Sequence, residues 1–163
     1  MRKLSLALLG LFLAALLATG APVLADETLE ATLKASATSG DVPAELVIVY
    51  DDMHGLHGGS TIELKGDGTA TRRDVNRGAE ATASATVAAG DLHELVKLLV
   101  EVEAWTQKTP SRELVPDESQ ARLVLKLGEQ ELGFWEFYND MEANQRLSKV
   151  KARLDTLVAA GTP

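Results

Sequence analysis

Two short turns, each flanked by alternating apolar and polar residues, most limit the folds open to this chain. The first is Gly66-Asp67-Gly68, which separates STIELK from TATRRDV. Asp-Gly between alternating runs is a strong hairpin signal, because glycine readily adopts the positive φ that the turn needs. The second is Gly128-Glu129, between ARLVLKL and QELGFWEFY. The pattern predicts an antiparallel hairpin over 60–75 and another around residue 128.

Each predicted hairpin is followed by residues with helical periodicity. Asp91 with Glu94 matches a capping box ahead of an amphipathic helix over 92–104. Asn139 with Glu142 repeats the capping pattern ahead of a long terminal helix. The chain therefore alternates strands, helix, strands and helix.

The remaining apolar segments complete the predicted sheet. LVIVY, residues 46–50, is short and β-branched, as is typical of a buried strand. Residues 78–90 are small and weakly alternating, and predict either a further edge strand or an extended connection. The fold class is therefore predicted to be α+β, with an antiparallel sheet of about four to five strands and two helices packed on one face.

The N-terminus has the pattern of an export signal. Met1-Arg2-Lys3 is basic, residues 4–18 are apolar and uncharged, and Pro22 precedes a small-residue site that ends at Ala25. We expect a signal peptide over 1–25, cleaved after Ala25, and a periplasmic or secreted protein. A retained membrane anchor is the alternative, although the apolar run is short for a span of about 20 residues.

The rest of the chain is predicted to hold one domain. Residues 26–44 are rich in Ala, Thr, Ser and acid and predict a leader of low order, followed by a single α+β domain over 45–163. The chain has no cysteine, so it offers no disulfide and no cysteine for lipid attachment. The predicted core alone would hold the domain together.

The charge balance narrows the classes of partner. Cleavage after Ala25 removes Arg2 and Lys3 from the 16 basic residues and none of the 24 acidic ones, so the formal net charge falls from −8 to −10. An acidic surface repels nucleic-acid phosphates and anionic lipid headgroups. We therefore expect no nucleic acid and no membrane as partners after signal removal. A protein partner remains open, and the oligomeric state is not predicted.

The most distinctive polar segment is DDMHGLHGGS, residues 51–60, which we call the histidine loop. Loops on a rigid scaffold commonly carry binding function. The loop is therefore a candidate partner-binding surface, while the simplest alternative is a plain turn between strands shaped by its glycines. The candidate contact residues are Asp51, Asp52, His54, His57, Gly58 and Gly59.

A metal site is a second interpretation of the histidine loop. Two imidazoles and a carboxylate suit zinc or copper, so Asp52, His54 and His57 are the candidate ligands. The spacing is a weak signal, because it lacks the helix and adjacent glutamate of metalloprotease motifs. No cofactor is otherwise expected, with a divalent metal such as zinc as the alternative.

No segment has the pattern of a catalytic site. Ser60 follows two glycines and does not lie in a Gly-x-Ser-x-Gly elbow, and GDGTAT lacks the lysine of a phosphate-binding loop. We therefore expect no catalytic residues and a non-enzymatic protein.

An aromatic cluster lies in the second hairpin, at residues 134–138. Neighbours on a strand point to opposite faces, so Phe134 and Tyr138 share one side while Trp135 and Phe137 share the other. Either the latter pair fills the core and Tyr138 lies at its rim, or some of these rings are exposed anchors for a partner.

These segments together resemble small exported bacterial domains of unknown function that carry a GDGT hairpin ahead of a helix. IELKGDGTATRR, AAGDLHELVKLLVEVEAW and LSKVKARLDTLV carry the resemblance, which spans residues 46–160. The chain is more loosely similar to emfourin-type inhibitors of thermolysin-like metalloproteases, which share a Gly-Gly segment after the first strand. That resemblance implies protease inhibition, with the Gly58-Gly59 segment as a contact surface.

Overall fold

The computed structural model describes residues 28–54, 57–108, 112–113 and 115–160. The predicted signal peptide over 1–25 and its cleavage site lie outside these residues. In this part of the chain the elements, in order, are α1 Leu29–Ser39, β1 Val47–Asp51, β2 Gly58–Lys65, β3 Thr69–Asn76, β4 Ala79–Thr86, α2 Ala89–Glu101, β5 Gln120–Leu127, β6 Gln130–Phe137, a 3₁₀ turn Tyr138–Asp140, α3 Met141–Asn144 and α4 Leu147–Ala160.

The six strands form one antiparallel sheet in the order β4-β3-β2-β1-β5-β6. The predicted α+β class and antiparallel sheet are confirmed, and so are both predicted hairpins. The sheet has six strands, not four to five, because the small-residue segment after Gly78 forms β4 as an edge strand. Arg77 and Gly78 both have positive φ, 50° and 84°, which is the geometry of a tight hairpin turn.

The expectation of a low-order leader over 26–44 is wrong, because α1 lies within it. Thr28 Oγ1 accepts a hydrogen bond from the Ala31 N–H at 3.2 Å and caps the helix. Leu29 and Leu33 are fully buried in the core that α1 forms with α2. The leader thus needs few large apolar residues to be ordered, because it packs against the domain.

The predicted helix ends are also corrected. α2 begins at Ala89, ahead of Asp91, and its N-cap residue Ala88 makes no side-chain capping bond. The terminal helix is divided, because Gln145 adopts a left-handed φ of 56° between α3 and α4. There are thus four α-helices in the described residues, and not the predicted two.

The core lies between one face of the sheet and the helices. The inward-facing strand residues are Ile48, Tyr50, Ile62, Leu64, Leu123, Leu125 and Phe134, all buried. The first alternative for the aromatic cluster is right in part. Phe137 is buried, but Trp135, edge-on to it at 5.1 Å, is only half-buried, and Phe134 on the other face enters the core. No helix in the described part of the chain has the length and apolar character that a membrane crossing would need.

Candidate functional site

The histidine loop joins β1 to β2, and its base is fixed by Asp52. The Asp52 side chain is buried, with 7% of the residue exposed. Its Oδ2 accepts from the Tyr50 hydroxyl at 2.8 Å, and its Oδ1 accepts from the Ser60 N–H at 2.6 Å. The Asp52 N–H donates to the Ser60 carbonyl at 3.0 Å. This carboxylate therefore ties both ends of the loop to the buried strand.

A second pair of backbone hydrogen bonds narrows the loop above Asp52. The His54 N–H donates to the Gly58 carbonyl at 2.8 Å, and the Gly58 N–H donates back at 2.9 Å. The rings of His54 and His57 stack with centroids 5.0 Å apart and planes at 21°. His57 is exposed, while His54 is half-exposed. The structure thus brings the two predicted histidines together at the tip.

The two glycines that follow His57 are required by close contacts. Gly58 has a φ of 83°, and a Cβ there would lie 1.8 Å from the Val75 carbonyl oxygen. Gly59 has a φ of 153°, and a Cβ there would lie 2.5 Å from the Asp52 carbonyl oxygen. A larger residue at either position would displace the backbone of a neighbouring segment. The Gly-Gly segment is therefore accounted for by the packing of the loop.

A cavity of about 370 Å³ opens beside the loop. The histidine loop forms one wall, and the remaining lining residues are Ser119, Tyr138 and Lys151. Tyr138 is 52% exposed. Ser119 and Lys151 could not be predicted as neighbours of the loop, because they follow it by more than fifty residues and only the sheet order and α4 bring them close.

Beneath the cavity, a chain of polar contacts joins the sheet to α4. The Ser60 hydroxyl donates to Asp74 at 2.6 Å, and Arg72 donates to both Asp74 and Asp155 at 2.8 Å. Lys151 donates to the other Asp155 oxygen at 2.8 Å. The hydrogen bond from Arg72 holds the pKa of Asp74 below its usual range. The charged groups of this network, Arg72, Asp74, Lys151 and Asp155, are thus paired with one another.

The Ser60 and Tyr50 hydroxyls are both held by carboxylates. Ser60 donates to Asp74, which also accepts from Arg72. Burial, and next the charge of Asp52, raise the pKa of Tyr50, so its phenol stays protonated and remains a donor. These groups stabilise the base of the loop.

The candidate metal ligands are only partly assembled. Among the residues that the structure describes, no three His, Cys, Asp or Glu side chains are placed to hold one metal ion. Both oxygens of Asp52 already accept hydrogen bonds from Tyr50 and Ser60. His54 and His57 are adjacent, so any metal held here would depend chiefly on these two imidazoles.

The predicted contact residues thus take different places. Asp51 is half-buried at the end of β1, and its Oδ1 accepts from the Met53 N–H at 2.9 Å. Asp52 is an internal support, whereas the two histidines face the cavity.

No model of a known protein family matches this chain, and a search of curated proteins also finds no match.

Proposed function

We propose that the chain is an exported, non-enzymatic binding module whose histidine loop contacts a protein partner. The observation that supports this most is the loop's construction: a base fixed by buried Asp52 carries an exposed His57 beside a surface cavity. A segment whose two ends are already held in place loses less conformational entropy there when it binds. Such a loop is suited to recognition.

Two further features support a protein as the partner. Tyr138 lies 52% exposed at the cavity, and exposed tyrosines are common anchors in protein interfaces. The net charge, −10 after cleavage at Ala25, favours a partner with a basic surface. Inhibition of a thermolysin-like metalloprotease is one form of this function and rests on the resemblance of the Gly58-Gly59 segment.

The proposal is tested with the exported protein, immobilised and exposed to periplasmic extract and culture medium. We expect a captured protein that is lost with His57→Ala combined with Tyr138→Ala. Glu129→Ala is the matched control, because Glu129 is exposed in the β5–β6 turn at the opposite end of the sheet. Equal capture by all three chains would contradict a role for the loop.

Two direct measurements accompany the capture. Inhibition of a purified thermolysin-like protease is assayed at micromolar protein, and its absence removes the inhibitor form of the proposal.

The intact mass of the exported chain is measured as well. We expect an N-terminus at Asp26, and a retained signal would contradict the proposed export route.

The alternative proposal is a metal-binding protein that uses Asp52, His54 and His57. The two imidazoles, 5.0 Å apart in one loop, support it. Calorimetric titration with zinc and copper tests it, and His54→Ala with His57→Ala is expected to abolish binding. His93→Gln is the control, because this third histidine lies on α2 and contacts the Ala37 carbonyl at 3.0 Å.

A further inference from the structure

β4 is an edge strand whose outer side has no partner in the described part of the chain. It is eight residues long, AEATASAT, and most of its side chains are exposed. Edge strands of natural proteins are usually protected by lysine, proline, a bulge or a covering segment. β4 has neither lysine nor proline, and its one charged residue, Glu80, is already paired with Arg73 at 2.8 and 2.9 Å.

The opposite edge of the same sheet is protected. There the Gln107 side chain bonds the backbone of Trp135 in β6: its Oε1 accepts from the N–H at 2.9 Å, and its Nε2 donates to the carbonyl at 3.1 Å. The Gln130 side chain on β6 also accepts from the Leu29 N–H at 2.6 Å. Among the described residues, the outer edge of β6 is thus protected and that of β4 is not.

The register of the β3–β4 hairpin determines which groups of β4 are available. The tight turn at Arg77-Gly78 closes a hydrogen-bonded pair of Asn76 and Ala79. From there, hydrogen-bonded and non-hydrogen-bonded residue pairs alternate along β3 and β4. At the far end of the hairpin, the Val87 N–H donates to the Gly68 carbonyl at 2.8 Å, as the same alternation requires. The residues whose N–H and C=O groups point outward are therefore Glu80, Thr82, Ser84 and Thr86.

We propose that a second copy of this chain pairs with β4, antiparallel and about a two-fold axis at Ala83. Thr82 then bonds with Ser84 of the partner subunit, and Glu80 with Thr86 of the partner subunit. This register uses all four outward-facing residues, whereas a shift by two residues in either direction leaves one of the four without a partner. The two sheets become one continuous sheet.

The side chains are compatible with this register. Ala83 meets the same residue of the partner at the axis, where closely spaced strands accommodate a small side chain best. The two Glu80 carboxylates lie at opposite ends of the pairing, and each is neutralised by Arg73 of its own chain. The acidic residue of β4 is thus kept away from the axis.

The test uses sedimentation velocity of the exported protein over a range of concentrations. We expect a reversible species with twice the mass of one chain. In the proposed register, Thr82→Lys with Ser84→Lys places like charges opposite each other at both central pairs, and we expect about tenfold weaker association or more. Thr82→Lys with Ser84→Glu places opposite charges there, so it is the matched variant that keeps the dimer.

A third variant guards against misfolding of the charged chains. Thr82→Pro removes an outward N–H that is not used by β3, so it should abolish the dimer while the circular dichroism of the single chain is kept. A wild-type chain that stays a single copy at every concentration overturns the proposal. So does a dimer that survives both Thr82→Pro and the double-lysine variant. Loss of the dimer in the lysine–glutamate variant overturns the register.

Discussion

Asp52 shows how a polar residue in a candidate site can be a structural support. The sequence places it near the two histidines, which suggests a ligand, but its carboxylate is turned inward to Tyr50 and Ser60. That Tyr50 and Asp52 share a face follows from strand alternation. The bond to the Ser60 N–H depends on the β1–β2 register, which local sequence does not specify.

We predict that Asp52→Ala lowers the free energy of unfolding by about 1–3 kcal/mol, because it leaves a buried hydroxyl and a buried N–H without an acceptor. Urea unfolding followed by circular dichroism measures it. Asp51→Ala is the control, since Asp51 is only half-buried and water can replace its bond to Met53. Equal losses in the two variants would mean that the buried bonds of Asp52 do not set the stability of the loop.

Glu136 is a buried carboxyl whose sequence position, inside an aromatic run, gives no hint of its surroundings. It is 5% exposed, and its Oε2 has no hydrogen-bond partner among the described residues. Burial raises the pKa of Glu136, and the charge of Asp140 adds to this, while the Leu147 N–H and Arg146 act in the opposite direction. The folded protein therefore holds this proton to a higher pH than the unfolded chain does.

We predict a pH-dependent effect of Glu136→Gln. The stability that protonated Glu136 contributes is fully present below the pKa of an unfolded-chain glutamate and is lost as pH rises through the raised folded pKa. Glutamine does not titrate and can still accept from Leu147. The variant should therefore gain stability relative to the wild type as pH rises through this window, measured by urea unfolding from about pH 4 to pH 8. Glu131→Gln, on the exposed part of β6, should show no such gain, and a pH-independent difference for Glu136→Gln would refute the argument.

The helices are joined to one another by Arg146, which lies between α3 and α4. Its guanidinium donates to the Val102 carbonyl at 2.8 and 3.0 Å and to the Glu103 and Thr106 carbonyls at 3.0 Å each. It also lies 4.1 Å above the Phe134 ring. The end of α2 is thus capped by the residue that precedes α4.

We predict that Arg146→Lys lowers the free energy of unfolding by about 1–3 kcal/mol, because an ammonium cannot reproduce the planar, forked bonds and the stacking. Thermal and urea unfolding measure it. Arg153→Lys is the control, since its bond to Asp91 lies at the surface and should contribute less than about 1 kcal/mol. If both variants lost a similar free energy of unfolding, the bonds from Arg146 to the end of α2 would contribute no more than a surface ion pair does.

Prediction from sequence succeeded where local chemistry decides the element. The Gly66-Asp67-Gly68 turn and the alternating residues around it specify their hairpin by themselves. It failed where distant contacts decide: Gln145 divides the terminal helix at a point where Arg146 turns toward α2. The histidine pair was predictable as a cluster, but its neighbour Lys151 depends on the docking of α4 against the sheet.

The molecule has a layer of helices over one face of its sheet, and α1 completes that layer. α1 contacts α2, and α2 contacts α4, so loss of the first helix would uncover the apolar side of the second. The segment was predicted to be a leader because it has few large apolar residues. Two buried leucines are enough to hold it, because the surface they cover belongs to the rest of the domain.

We predict that a chain beginning at residue 45 is less stable than one beginning at residue 26 by several kcal/mol. Leu29 and Leu33 are 0% and 1% exposed, and burying a leucine fully contributes about 1.5–3 kcal/mol. Leu33→Ala in the longer chain should by itself cost about 2–5 kcal/mol, because it leaves a cavity against α2. Lys34→Ala is the control, since its bond to Glu30 is at the surface and should contribute less than about 1 kcal/mol. If the shorter chain unfolded at the same urea concentration as the longer one, α1 would not be part of the cooperative fold, and the domain would begin at β1.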